Sequence, residues 1–229
     1  MKTISFFFTA FLLLVQSSPA QVRVGFTGGV HFWEGEQSNF YDSRVSSGTG
    51  YAVGGILDCP LIKRFSFLIE PTYVRRGTSA QPSGPQSYVS RLSFDLSYLE
   101  LPILLKYSVG KNLRPFLVLG PTFGFNLSSR VGAEIRGPWF GDLEVEADAG
   151  NATRTFECSI EFGGGLSYKA DDILTLFIEA RYAHALGNTT TRGMAMISTK
   201  DVTVGADVNN NAARMINGFK IMCGFMVPL

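Results

Sequence analysis

The stretch Ile173–Ala183, ILTLFIEARYA, decides how this chain reads. Leu174, Leu176, Ile178 and Tyr182 fall on one parity; Thr175, Glu179 and Arg181 fall on the other. Side chains of a strand point alternately to its two faces, so the stretch predicts a β-strand with one apolar and one charged face. In a half-buried soluble sheet the apolar face packs inward and charge faces water. In a membrane barrel the apolar stripe faces lipid and the polar stripe faces the lumen.

Seven more runs share the pattern. Val22–Phe32 aligns Val22, Val24, Phe26 and Val30. Tyr51–Cys59 aligns Tyr51, Val53 and Leu57, and Phe65–Arg75 sets Phe65, Phe67, Ile69 and Tyr73 against Ser66, Glu70 and Thr72. Ser93–Tyr107 sets Leu99, Leu101, Ile103, Leu105 and Tyr107 against Tyr98, Glu100 and Lys106. Pro115–Leu127 aligns Leu117, Leu119, Phe123, Phe125 and Leu127. Arg154–Tyr168 sets Phe156, Ile160, Phe162 and Leu166 against Glu157, Ser159 and Glu161, and Met215–Val227 aligns Phe219, Ile221, Phe225 and Val227. Runs of roughly 9–11 residues, tilted, match the hydrocarbon thickness of a bilayer.

The gaps alternate in length. Pro60–Arg64, Ser108–Leu113 and Lys169–Asp172 are short; Trp33–Gly50, Gly77–Leu92, Ser128–Thr153 and Leu186–Arg214 are long. In hydrocarbon every backbone N–H and C=O must pair within the protein, so the sheet must close. The expectation is an all-β fold, an eight-stranded antiparallel transmembrane β-barrel with short periplasmic turns and long extracellular loops. A soluble barrel would turn its apolar stripe inward. The other stripe here carries Arg23, Asp58, Glu70, Glu100, Lys106, Glu157, Glu161, Glu179, Arg181 and Lys220, which suits a lumen where acids and bases pair.

The start of the chain reads as an export signal. Lys2 supplies the positive region, Phe6–Val15 the apolar core, and Ser18-Pro19-Ala20 the small residues before a cut at Gln21. Residues 1–20 are thus expected to be a signal peptide and 21–229 one barrel domain. No cysteine follows the cut, which argues against a lipoprotein anchor. A net charge of +1 gives no reason to expect nucleic acid or an acidic partner.

Candidate chemistry is sparse. His31 falls on the inner stripe and His184 on the outer one, so the two are not expected to share a site. Cys59, Cys158 and Cys223 fall on the apolar stripe at three different heights, too far apart for a disulfide, and read as small lipid-facing side chains. The glycine sets Gly28-Gly29, Gly54-Gly55 and Gly163-Gly164-Gly165 precede no helix, so they read as close packing rather than a phosphate cradle. Ser128–Thr153, with Glu134, Asp142, Glu144, Glu146 and Asp148, lacks the ligand spacing of a calcium loop and reads as a solvated hairpin. Leu186–Arg214, rich in Asn, Thr and Gly, reads as a mobile surface loop. No catalytic, cofactor-binding or metal-binding residues, and no cofactor, are expected.

Phe65–Gly77 (FSFLIEPTYVRRG), Ser97–Val109 (SYLELPILLKYSV) and Arg114–Ser129 (RPFLVLGPTFGFNLSS) together resemble the PorT-like outer-membrane β-barrel family of Bacteroidota. The family core Tyr-Leu-Glu-(Leu/Ile)-Pro-(Leu/Ile)-Leu-Leu-Lys-Tyr is similar to Tyr98–Tyr107, and its Pro-(Phe/Tyr)-hydrophobic-Gly-Pro stretch to Pro115–Pro121. The resemblance implies an eight-stranded outer-membrane barrel, with type IX secretion associated with the PorT members. It implies no single activity and no catalytic residues. Pro102 lies inside a strand paired on both sides, where it cannot donate to the ladder, so a bulge is expected there. Outer-membrane strands usually close on an aromatic residue; with the ending Phe225-Met226-Val227-Pro228-Leu229, Phe225 is the candidate closing signal.

The functional expectation is a monomeric, non-enzymatic outer-membrane barrel with a structural or interaction role: loop display, envelope integrity or support of secretion. Its alternatives are a narrow channel for small solutes and, behind that, an envelope enzyme. Expected partners are outer-membrane lipid and lipopolysaccharide, the barrel assembly machinery during insertion, and secretion-machinery proteins, with no nucleic acid.

Overall fold

The computed structural model describes residues 21–34, 44–45, 48–81, 89–137, 141–148, 155–186, 193–198, 203–208 and 217–229. The signal-peptide reading of residues 1–20 lies outside them. Eight antiparallel spans close into one ring. They are β1 (Arg23–Glu34), β3 (Gly48–Ile62), β4 with β5 (Phe65–Ile69, Thr72–Gln81), β6 (Val89–Ser108), β7 (Leu113–Gly137), β9 (Phe156–Lys169), β10 (Thr175–Ala185) and β13 (Asn217–Pro228). Each pairs with its sequence neighbour, and β1 closes on β13 from Arg23↔Pro228 to Glu34↔Asn217. No edge of the ring is left to face lipid, as the cost of unpaired backbone in hydrocarbon requires.

The short connections gather at one end, as the gap lengths predict. In the second of them Gly110 takes φ +113°, a left-handed conformation that an L side chain rarely adopts. In the third, one carboxylate oxygen of Asp171 accepts the amides of Ile173 (2.7 Å) and Leu174 (2.8 Å). Lys169 donates to Asp172 at 2.6 Å and holds that carboxyl below its usual range. At the same end the Leu229 amide donates to the Val22 carbonyl at 2.8 Å.

The outer face is apolar. Phe26, Leu117, Leu119, Ile178 and Ile221 are exposed around the ring. Phe65 and Tyr107 pair at the short-turn end (5.0 Å between ring centres), and Phe125 and Phe156 at the long-loop end (5.4 Å). An apolar band with aromatics toward both interfaces is the exterior a bilayer selects. Cys223 is exposed in this band, Cys158 is half-buried, and Cys59 is buried opposite Phe67; all three thiols are free. Its register with Phe67 keeps Cys59 on the outer face, as its parity predicts, although neighbouring side chains cover it beside the irregular Pro60–Ile62 pairing. The glycines pack closely: a Cβ on Gly163 would run into the Ala180 carbonyl of the adjacent strand.

Pro102 makes no bulge. Pairing runs in one register from Leu99↔Phe125 to Ser108↔Phe116, and on the other side from Thr72↔Glu100 to Ile69↔Ile103. The Glu70 amide donates to the Pro102 carbonyl at 3.1 Å, so these two residues face each other as a hydrogen-bonded pair lacking one donor. The Thr72 hydroxyl, buried, supplies that donor to the Glu70 carbonyl at 2.9 Å. A local side-chain donor therefore replaces the missing N–H, and the ladder keeps its register. The span is interrupted at Glu70–Pro71, between β4 and β5, but not displaced.

Several strands outrun their apolar stripes. β6 and β7 extend to Val89 and Gly137, and β7 turns back into β8 (Gly141–Asp148), the hairpin expected within Ser128–Thr153. β2 (Arg44–Val45) pairs with the end of β5. Leu186–Arg214, read as a mobile loop, contains a hairpin instead, β11 (Gly193–Ser198) with β12 (Thr203–Val208). Above the bilayer a ladder continues on backbone hydrogen bonds alone, with no need for an apolar stripe to mark it.

Candidate functional site: the charged lumen

A barrel of this size has an interior just wide enough for side chains to fill it. Here two layers fill it. Toward the short-turn end, Ile56, Leu68, Leu104, Phe116, Val118, Phe177 and Met226 form one buried apolar cluster. Beside them Asp58 accepts from Arg23 (2.8 Å) and Lys106 (3.4 Å), and the Lys106 ammonium lies 4.4 Å from the centre of the Phe116 ring.

Toward the long loops the lumen is ionic. Arg181 Nη1 and Nη2 donate to the two carboxylate oxygens of Glu70 at 2.6 and 2.7 Å. Nη2 also donates to Glu179 at 2.5 Å, and Nη1 lies 3.6 Å from Glu161 Oε2. Lys220 Nζ joins Glu161 to Glu100 with two bonds of 2.6 Å. Arg76 continues the chain by donating to Glu100 and, at 3.4 Å, to Glu157, whose other oxygen accepts from Tyr98 Oη at 2.8 Å. Arg76 also stacks on Tyr98, 4.7 Å from the ring centre. Five of the eight spans supply these nine side chains, so one continuous network ties the barrel wall across its lumen.

All ten charges assigned to the lumen from sequence are there, and each takes part in an ion pair. Arg76 escaped notice because the apolar stripe of its run ends at Tyr73. Its parity with Glu70, Thr72 and Val74 is the signal that finds it. Arg75 points outward and pairs with Asp95.

The histidines part as expected. His184 is exposed on the outer face. His31 is buried, and neither ring nitrogen has a hydrogen-bond partner in the protein. Its ring lies against Gly218, where a Cβ would overlap Nε2. A cavity of about 20 Å³ opens beside it, lined also by Arg76, Glu100, Thr122, Glu161 and Lys220. Among the described residues no cluster of His, Cys, Asp and Glu is arranged to hold a metal ion.

The family model described as outer membrane protein beta-barrel domain matches residues 15–191. The chain belongs to this family. This outer membrane β-barrel accordingly resides in the cell outer membrane. Among solved structures it is similar to the outer membrane protein OprG from Pseudomonas aeruginosa, with 11% identity over 92% of this chain and 96% of that one and a TM-score of 0.53. Neisserial surface protein A matches at 13% identity over 92% and 98%, with a TM-score of 0.48. The outer membrane protease OmpT from Escherichia coli matches at 10% identity over 93% and 98%, with a TM-score of 0.38. No curated protein matches. At such identities the likeness concerns the fold, and a fold carries no activity with it.

Proposed function

We propose that this barrel is a closed, non-enzymatic membrane anchor that displays its long loops outward and acts by interaction rather than by transport. The observation that carries the reading is the filled lumen, where paired charges lie above a buried apolar cluster. An ion would have to displace fully desolvated ion pairs and then cross an apolar layer, and both steps are costly. The extended β6–β7–β8 sheet raises backbone beyond the membrane-spanning part, which suits a surface meant to be contacted.

The finer reading is a PorT-like member of the Bacteroidota barrels, monomeric in the membrane and contacting secretion-machinery proteins. Its support is the run of motifs in Tyr98–Tyr107 and Pro115–Pro121. Crosslinking of intact envelopes, followed by purification of this protein, tests it. A reproducible set of secretion-machinery proteins is the expected result. Recovery of lipopolysaccharide and barrel-assembly factors alone would refute the secretion role.

A further inference from the structure

Ten side-chain atoms among the described residues are buried without a hydrogen-bond partner in the protein, and five of them belong to residues that line the cavity beside His31. They are His31 Nδ1 and Nε2, Arg76 Nε, Thr122 Oγ1 and Glu161 Oε2. All four side chains are more than nine-tenths buried. A buried polar atom without a hydrogen bond is costly, so a concentration of them around one space calls for an occupant.

Their chemistry specifies it. Arg76 Nε can only donate, and Glu161 Oε2, as a carboxylate oxygen, can only accept. Neutral His31 offers one donor and one acceptor, and Thr122 offers both. An occupant must therefore donate and accept about equally, which excludes a bare cation and a halide. The cavity of about 20 Å³ exceeds the roughly 10–15 Å³ that one water needs. We infer that the upper lumen contains a structural water site, formed by His31, Arg76, Thr122 and Glu161, in which bound water completes the ionic network.

Gly124 provides a test whose sign decides. It lines the cavity, and the atoms nearest a Cβ there would be Glu157 Cβ at 3.7 Å, Tyr98 Cδ1 at 3.8 Å and Glu100 Cγ at 3.9 Å, all ordinary contacts. In Gly124→Ala the methyl group takes the water's space. If the site holds water, the variant strands the surrounding groups and the urea midpoint of the detergent-folded barrel falls. An empty cavity would be filled by the methyl, and Gly→Ala also reduces the entropy of the unfolded chain, so the midpoint would rise. A raised or unchanged midpoint overturns the proposal. Should the variant fail to fold, a high-resolution crystal structure of the wild-type protein decides. A density peak at hydrogen-bond distance from at least two of the four residues supports the site; an empty cavity, or a peak with the shorter contacts of a metal ion, refutes it.

Discussion

Arg181 on β10 and Glu70, at the break between β4 and β5, meet through two parallel hydrogen bonds of 2.6 and 2.7 Å, although 111 positions separate them in the chain. Neither residue is more than 2% exposed. The pair bridges the lumen between strands that are not neighbours in the ring, so it braces the barrel across its width. The forked guanidinium is the group that matches both carboxylate oxygens at once.

Removing the cation should therefore be severe. Arg181→Leu strands Glu70 and Glu179, which take their side-chain hydrogen bonds from Arg181. Breaking one partner of a buried pair costs about 3–5 kcal/mol. The urea unfolding midpoint in detergent or lipid should fall accordingly, with Arg181→Lys between the two because an ammonium cannot make the fork. An unaltered midpoint for Arg181→Leu would mean that the network contributes nothing to stability.

The repair of the ladder at Pro102 makes a second prediction. Thr72→Val removes the donor that serves the Glu70 carbonyl and should destabilise by about 1–3 kcal/mol, the cost of a stranded buried acceptor. Pro102→Ala restores a backbone N–H facing that carbonyl. In the Pro102→Ala background Thr72→Val should cost clearly less. Equal costs in both backgrounds would show that the hydroxyl does not stand in for the proline.

How far the sequence could be read follows from where lipid constrains it. Within the bilayer, parity must alternate, so the stripes through Leu99–Tyr107 and Leu174–Tyr182 mark their strands and place Glu100, Lys106, Glu179 and Arg181 inside. Which charge meets which was not legible, because the Glu70–Arg181 and Glu100–Lys220 pairs depend on how the strands tilt across the lumen. The bulge expected at Pro102 does not form because its compensation comes from a neighbouring strand's Thr72 rather than from its own backbone. Beyond the bilayer the constraint lapses, and so the extension of β7 past Leu127 and the pairing of Gly193–Ser198 with Thr203–Val208 left no periodic trace.

Phe225 carries a third prediction. Phe225 faces outward from β13, pairs in register with Phe26, and holds its ring 6.0 Å from it. If it is the aromatic that assembly reads, Phe225→Ser should lower the yield in the outer membrane, scored by immunoblot of fractionated envelopes. A yield equal to wild type would remove Phe225 from that role.

The central claim is that the lumen is sealed, and planar-bilayer recording of the purified, refolded protein tests it most directly. With Ile56, Leu68, Leu104 and Phe116 packed below the Arg181–Glu161–Lys220 network, insertion should leave the membrane without steady conductance in concentrated potassium chloride. Discrete, ohmic openings that recur with each insertion of the folded barrel would contradict it and make the protein a pore.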